Sequence, residues 1–222
     1  MLRNKSMVVG STGLVGKSVV NHLIERGIAV LALVRNDAES DNSLLNYYKI
    51  DFDDLHLPDE TFSDIKDIFI CLGTTIKKAG SKEAFQKVDI TYCHEIAKQA
   101  QASGVKNISI VTSLGSDSNS TNFYLKTKGM IEDQITEIDF ESISIHRPGL
   151  LIGARNEMRF GEFIGQKIFP YVLDPFLIGS MRKYRSIKGD TLAKAMVNLS
   201  GDEKGVNFYY FDDFNKSTIN NS

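Results

Sequence analysis

Little in this 222-residue chain suggests a metal centre, a disulfide framework, a nucleic-acid partner or a membrane span. Its two cysteines, Cys71 and Cys93, have no chelating spacing and make no disulfide framework, which suits a reducing compartment. The four histidines, His22, His56, His94 and His146, form no pair at helical or strand spacing. They read as surface or packing residues, and no metal is expected. The 26 Lys and Arg are balanced by 28 Asp and Glu, a net charge of −2 that gives nucleic acid no basic footprint. No apolar run approaches the ~20 residues that a span requires. Met1-Leu2-Arg3-Asn4-Lys5 is too short and polar for a signal peptide, so the expectation is a soluble, cytoplasmic protein. There is no internal repeat and no linker, and the length suits one α/β domain with a full core.

What is present is concentrated near the N-terminus. Met7 to Val9 reads as a buried strand that breaks into Gly10, Gly13 and Gly16. Leu14, Val15, Val19, Leu23 and Ile24 then recur at helical spacing until Gly27, a good stop. Glycines at a strand-to-helix turn suit a dinucleotide. Gly10 permits the tight turn, Gly13 lets a pyrophosphate approach, and Gly16 lets the helix pack on the strand. The amides of the helix start attract phosphate, so Gly10, Ser11, Thr12, Gly13, Leu14 and Val15 are the expected contacts.

Farther along, Ile28 to Val34 is an unbroken apolar run ending at Arg35. An acidic residue at such a place bonds a ribose 2′-hydroxyl, whereas an arginine accommodates a 2′-phosphate. Arg35 therefore argues for NADP over NAD; the alternatives are a solvated strand-end charge, or Asp37 serving a plain ribose. Tyr47 to Ile50 reads as a third strand. After it, Asp51 is placed to bond adenine and Phe52 to flank the ring, or else the acidic group caps the next segment. Asp67 to Gly73 is a fourth strand, with Gly73 and Thr74 where the second half of the cofactor should pass. Lys77, Lys78 and Lys82 make a basic loop, solvated or facing an acidic substrate. A helix over about Lys82–Ala102 carries Phe85, Val88, Tyr92, Ile96 and Ala100 as its stripe, and Asn107 to Val111 is a fifth strand. The alternation predicts a doubly wound, Rossmann-like parallel sheet in a single domain. Gly10, Arg35, Asp51, Gly73 and Ser113 all fall at the strand ends where such sheets bind ligands.

The chemistry is expected on a helix over about Thr121–Ile138, with Tyr124, Lys128, Ile131, Ile135 and Ile138 on one face. A lysine on a buried stripe is costly unless it is used or snorkels to the surface. Lys128 is placed to bind a nicotinamide ribose and to keep the Tyr124 phenol acidic. Tyr124 then exchanges a proton with a carbonyl or alcohol oxygen, and Ser113 holds that oxygen.

These residues resemble the short-chain dehydrogenase/reductase superfamily: Gly10 to Gly16, the serine after strand five, and Tyr124-x-x-x-Lys128. Cys71-Leu72-Gly73-Thr74-Thr75, Lys78-Ala79-Gly80, Tyr124-Leu125-x-x-Lys128-Gly129 and Arg147-Pro148-Gly149 are similar to its atypical subgroup of Tat-interacting oxidoreductases. The resemblance runs to about residue 200. It implies a Rossmann-like domain binding NADP(H), with Ser113, Tyr124 and Lys128 at the triad positions, and it implies no particular substrate.

The rest of the chain fits. Ser142 to His146 is strand six, and Pro148-Gly149 turns towards the nicotinamide carboxamide. Residues 157–179, with Met158, Phe160, Phe163, Ile164, Phe169, Tyr171, Val172, Phe176 and Leu177, pack over the sheet and line an apolar substrate pocket, within a covering segment of 150–185. A helix begins at Gly189-Asp190-Thr191, a last strand covers Asn207 to Phe211, and the end from Asn215 should fray. The reading is an NADP-dependent oxidoreductase acting on a small carbonyl or alcohol. The alternatives are an NADP(H)-sensing regulator without turnover and, last, a nucleotide-sugar epimerase or dehydratase, for which 74 residues after Pro148 leave a small substrate region.

Overall fold

The computed structural model describes residues 4–153 and 174–219. In β1 (Lys5–Val9), Met7 and Val9 enter one apolar layer and Val8 the opposite one. Successive side chains of a strand point to opposite faces, so a strand apolar throughout is covered on both. After β2 (Val30–Val34) and β3 (Leu45–Lys49), β4 (Ile65–Ile70) repeats the pattern. Ile68 and Ile70 join Met7, and Phe69 joins Val8. β5 (Asn107–Val111) and β6 (Ser142–His146) follow. β7 (Leu151–Ile152) and β8 (Ile187–Lys188) stand apart as a two-stranded ribbon, and β9 (Gly205–Tyr209) completes the main sheet. The order is β3-β2-β1-β4-β5-β6-β9 with every pair parallel, the doubly wound, Rossmann-like sheet expected.

Helix α1 (Leu14–Glu25) covers the Val8 face through Val19 and Leu23. The short α2 (Ile76–Ala79) follows β4, then α3 (Lys82–Gln86), a π-helical turn over Lys87–Tyr92, and α4 (Cys93–Ala102). With α5 (Phe123–Thr136), α4 covers the Met7 face through Ile96, Ala100, Ile131 and Ile135. Helices α6 (Gly189–Leu199) and α7 (Phe211–Ile219) return to the Val8 face with Leu192, Met196 and Phe214. The sheet lies between two helical layers, and its C-terminal edge is left open.

β3 and β4 each start two residues earlier than the sequence predicts, and the structure departs from expectation in three further places. The helix predicted over 82–102 carries the π turn, whose wider loop advances the helical phase. The buried set therefore runs Phe85, Asp89, Ile90, Cys93, Ile96, Ala97 and Ala100, while Val88 and Tyr92 are half-buried. The last strand lies two residues earlier than predicted. The end expected to fray from Asn215 is helical to Ile219, held by the fully buried Phe214. Of the apolar covering segment, residues 154–173, including Met158 to Val172, lie outside the described residues; Phe176 beyond them is 77% exposed.

Candidate active site

At the β1–α1 turn Gly10 has φ +82°, a left-handed conformation that suits glycine. A Cβ there would lie 2.8 Å from the Cys71 and Leu72 backbone, so the turn presses against the end of β4. A Cβ on Gly16 would lie 2.2 Å from the Gly10 carbonyl oxygen, so α1 rests on its own turn. The Gly13 N–H donates to the Gly10 carbonyl at 3.0 Å. Gly13 is the N-cap, and no side chain caps the helix. Its first turn has no side-chain acceptor, an arrangement suited to an anionic ligand. The Ser11 hydroxyl is buried with no hydrogen-bond partner. An orphaned hydroxyl beside an uncapped helix start fits a group rich in acceptor oxygens, as a pyrophosphate is.

A cleft of about 620 Å³ opens from this turn along the sheet edge. Gly10, Thr12, Gly13, Arg35, Phe52, Gly73 and Thr74 line it, as does Lys78 of the basic loop, together with Lys87 and Tyr92, which the sequence did not assign to the site. Arg35 is exposed at its mouth. Asp37, the alternative ribose ligand, bonds Lys49 instead at 2.7 Å, and that ammonium holds its carboxyl below the usual range. Asp51 accepts from the Asp53 N–H at 2.8 Å in a local turn, caps no helix, since Pro58 is the N-cap of the next helical turn, and is not part of the cleft wall. Phe52 is in the wall, its ring 5.1 Å from that of Tyr92. Asp53 accepts from the Tyr92 hydroxyl at 3.2 Å and is paired with Lys87. Leu14 is half-buried and Val15 buried behind the turn.

Ser113, Tyr124 and Lys128, the triad positions, are not among the residues that line the cleft. Ser113, 3% exposed, follows β5, and its carbonyl accepts from the Ser116 hydroxyl at 2.7 Å. Tyr124 and Lys128 share a face of α5 that meets α3 and the π turn. The Tyr124 and Phe85 ring centroids are 6.1 Å apart, and Lys128 Nζ donates to Asp89 Oδ1 at 2.6 Å. Lys128 is 4% exposed and Asp89 1%, so the lysine is buried against a carboxylate and does not snorkel. The other oxygen of Asp89 accepts from the Thr74 N–H at 2.9 Å. Two hydrogen bonds thus run from the cleft wall to Lys128.

Asp89 is the residue sequence reasoning missed. Its signal was present: a carboxylate four residues after Phe85 on an apolar stripe, facing the stripe that carries a lysine. Nearby, burial pushes the Cys93 thiol up to about 12, so it stays protonated and unreactive. Arg147 makes a forked pair with Glu132 of α5, through Nε to Oε1 at 3.0 Å and through its second nitrogen to Oε2. Among the described residues there is no cluster able to hold a metal ion, and no helix is long and apolar enough to cross a membrane.

A doubly wound parallel sheet with a glycine turn opening on its C-terminal edge defines the Rossmann-like class of nucleotide-binding proteins. The NAD(P)H-binding family matches residues 10–150, and this chain belongs to that family. It is 31% identical over 204 residues to Protein HTATIP2 of Rattus norvegicus, covering 89% of this chain and 81% of that one. It is 30% identical over 210 residues to Protein FMP52, mitochondrial, of Candida albicans, covering 91% and 89%. The atypical short-chain dehydrogenase/reductase resemblance is thereby upheld. Among solved structures the fold is similar to a UDP-glucose 4-epimerase, with TM-score 0.68 and 15% identity over 93% of this chain and 76% of that one. It is also similar to MoeE5 in complex with UDP-glucose and NAD, with TM-score 0.67, 13% identity and the same coverage.

Proposed function

We propose that this protein is an NADP-dependent oxidoreductase acting on a small carbonyl or alcohol. The observation that carries the reading is the buried Lys128 ammonium, one helical turn from Tyr124 and hydrogen-bonded to a carboxylate that also grips the cleft wall. In this reading the β1–α1 turn, with the Ser11 hydroxyl, holds the pyrophosphate. Arg35 faces the 2′-phosphate, Phe52 flanks the adenine, and Gly73 and Thr74 border the second ribose. The bound cofactor supplies or takes up a hydride. The protein's part is the proton. In the reducing direction the Tyr124 phenol donates its proton to the substrate oxygen; in the oxidising direction the phenolate accepts it. Ser113 donates a hydrogen bond to that oxygen as its negative charge develops. Lys128 binds the ribose and stabilises the phenolate through its charge.

A dinucleotide sensor would have no use for this arrangement, because a binding protein gains nothing from a buried lysine beside a phenol. Tyr124→Phe is expected to lower turnover about 100- to 10,000-fold while leaving NADPH affinity within a factor of about three, as loss of a general acid implies. Steady-state assay of NADPH oxidation over a panel of carbonyls checks this, and an equally active variant would remove Tyr124 from the mechanism. For location we propose the cytoplasm, a reducing compartment in which the buried thiols Cys71 and Cys93 remain reduced.

A further inference from the structure

The basic loop after β4 carries charge that the proposed proton chemistry does not use, and it ends beside Tyr124. We propose that Lys82 holds the acid group of an anionic substrate, so that the carbonyl compound reduced at Tyr124 carries a carboxylate. This inference rests on the oxidoreductase reading and names the substrate class of that same site.

Local structure fixes where the charge sits. Thr75 caps α2, its hydroxyl accepting from the Lys78 N–H at 3.1 Å, and Gly80, with φ +88°, ends that helix. Ser81 caps α3 in the same way, accepting from the Ala84 N–H at 3.1 Å. Lys82 and Phe85 then lie at neighbouring positions on one face of α3. Phe85 is buried, its ring centroid 5.6 Å from that of Phe123 and 6.1 Å from that of Tyr124. Lys82 Nζ lies 5.2 Å from the centre of the Phe123 ring. One helix face thus brings an aromatic wall to Tyr124 and an ammonium to the residue beside it. Lys82 is exposed and Phe123 and Tyr124 are half-buried, so this face is open to solvent.

The ammonium is placed but not neutralised. A ring face attracts it and leaves its N–H donors for an acceptor. Among the described residues, Lys49, Lys87, Lys106 and Lys128 each meet a carboxylate, whereas none pairs with Lys82. Glu83, its neighbour in the chain, turns its carboxyl to the Ser81 hydroxyl and to its own N–H. Lys78 of the same loop lines the cleft, so positive charge continues from Lys82 to the cleft wall. A carbonyl compound whose oxygen bonds Tyr124 therefore meets an ammonium farther along, where an acid group gains a charge-assisted hydrogen bond. The carbonyl carbon takes a hydride from NADPH, leaving NADP+, and its oxygen takes a proton from Tyr124. Lys82 holds the carboxylate and takes no part in bond making.

The probes are the ortho, meta and para formylbenzoates and their methyl esters, the same aldehydes with and without a charge at different separations. With NADPH as donor, the native protein is expected to favour an acid over its ester by about tenfold or more in kcat/KM. Lys82→Met keeps a side chain over Phe123 without the charge and should lower that ratio by about tenfold or more, the worth of a charge-assisted hydrogen bond. Lys82→Arg should restore it. A native protein with no preference for the acids, or a preference that Lys82→Met leaves unchanged, would overturn the proposal. Calorimetric titration of the same compounds, with NADPH present, separates the subsite from the reading beneath it. Acids that bind through Lys82 without being reduced would reject the oxidoreductase reading and leave the subsite standing. Acids that bind no better than their esters would overturn the subsite.

Discussion

His146 lies wholly buried at the end of β6, with Nε2 2.9 Å from the Ser109 hydroxyl and no partner for Nδ1. Its ring stacks on Tyr209 with centroids 5.3 Å apart. Burial brings its pKa from 6.5 down to about 3. Between those values the unfolded chain holds a proton that the folded chain refuses, so the folded state loses stability as pH falls below about 6.5. The slope is about 1.4 kcal/mol per pH unit. His146→Phe is expected to cost some stability at pH 7 through the unpaired Ser109 hydroxyl, yet to flatten the decline between pH 6.5 and 4.5. Urea unfolding across that range measures it, and superimposable acid limbs would remove His146 from the account. The histidine was legible as a packing residue because it had no partner at ligand spacing. Its neutrality was not legible, because that depends on strands and helices brought together from distant parts of the chain.

At the scale of elements, β1 and β2 were readable because their apolar runs are covered on both faces, and α5 because Lys128, Ile131 and Ile135 repeat at helical spacing. The lysine on that stripe is buried against Asp89. The π turn was not legible: the stripe was read as one uninterrupted period through Val88 and Tyr92, which line the cleft instead. α7 was missed for a different reason. Its Asn, Ser and Thr are poor helix formers, and burial of Phe214 overrides that preference. Gly129 shows how tightly α5 is seated. A Cβ there would lie 2.1 Å from the Ser118 nitrogen and 2.3 Å from the Asp117 carbonyl carbon, backbone atoms with little freedom to move. Gly129→Ala is expected to destabilise the protein by about 2–3 kcal/mol, as overpacking does, and to reduce turnover by shifting Tyr124 and Lys128. Chemical denaturation gives the first effect and initial rates the second; an unchanged denaturation midpoint would contradict the close packing of α5 on the 117–118 loop.

At the scale of the molecule, two helical layers close both faces of the sheet and leave its C-terminal edge as the place where loops can diverge. The β1–α1 turn, the end of β2, the loop after β4 and the start of the long helix contribute to one cleft there. That convergence was predictable from topology alone, since parallel strands deliver their C-terminal ends to one side. What topology did not provide was the link from that cleft to the proton chemistry, which runs through Thr74, Asp89 and Lys128. The proposed function requires that the cleft hold a dinucleotide bearing a 2′-phosphate. Calorimetric titration of the native protein and of Arg35→Ala with NADPH and NADH tests it most directly. We expect tight NADPH and weaker NADH binding to the native protein, with Arg35→Ala losing about 10- to 100-fold for NADPH, the worth of a charge-assisted hydrogen bond, and little for NADH. Equal affinities for the two cofactors, unchanged by Arg35→Ala, would contradict the 2′-phosphate contact, and binding of neither would contradict the dinucleotide site itself.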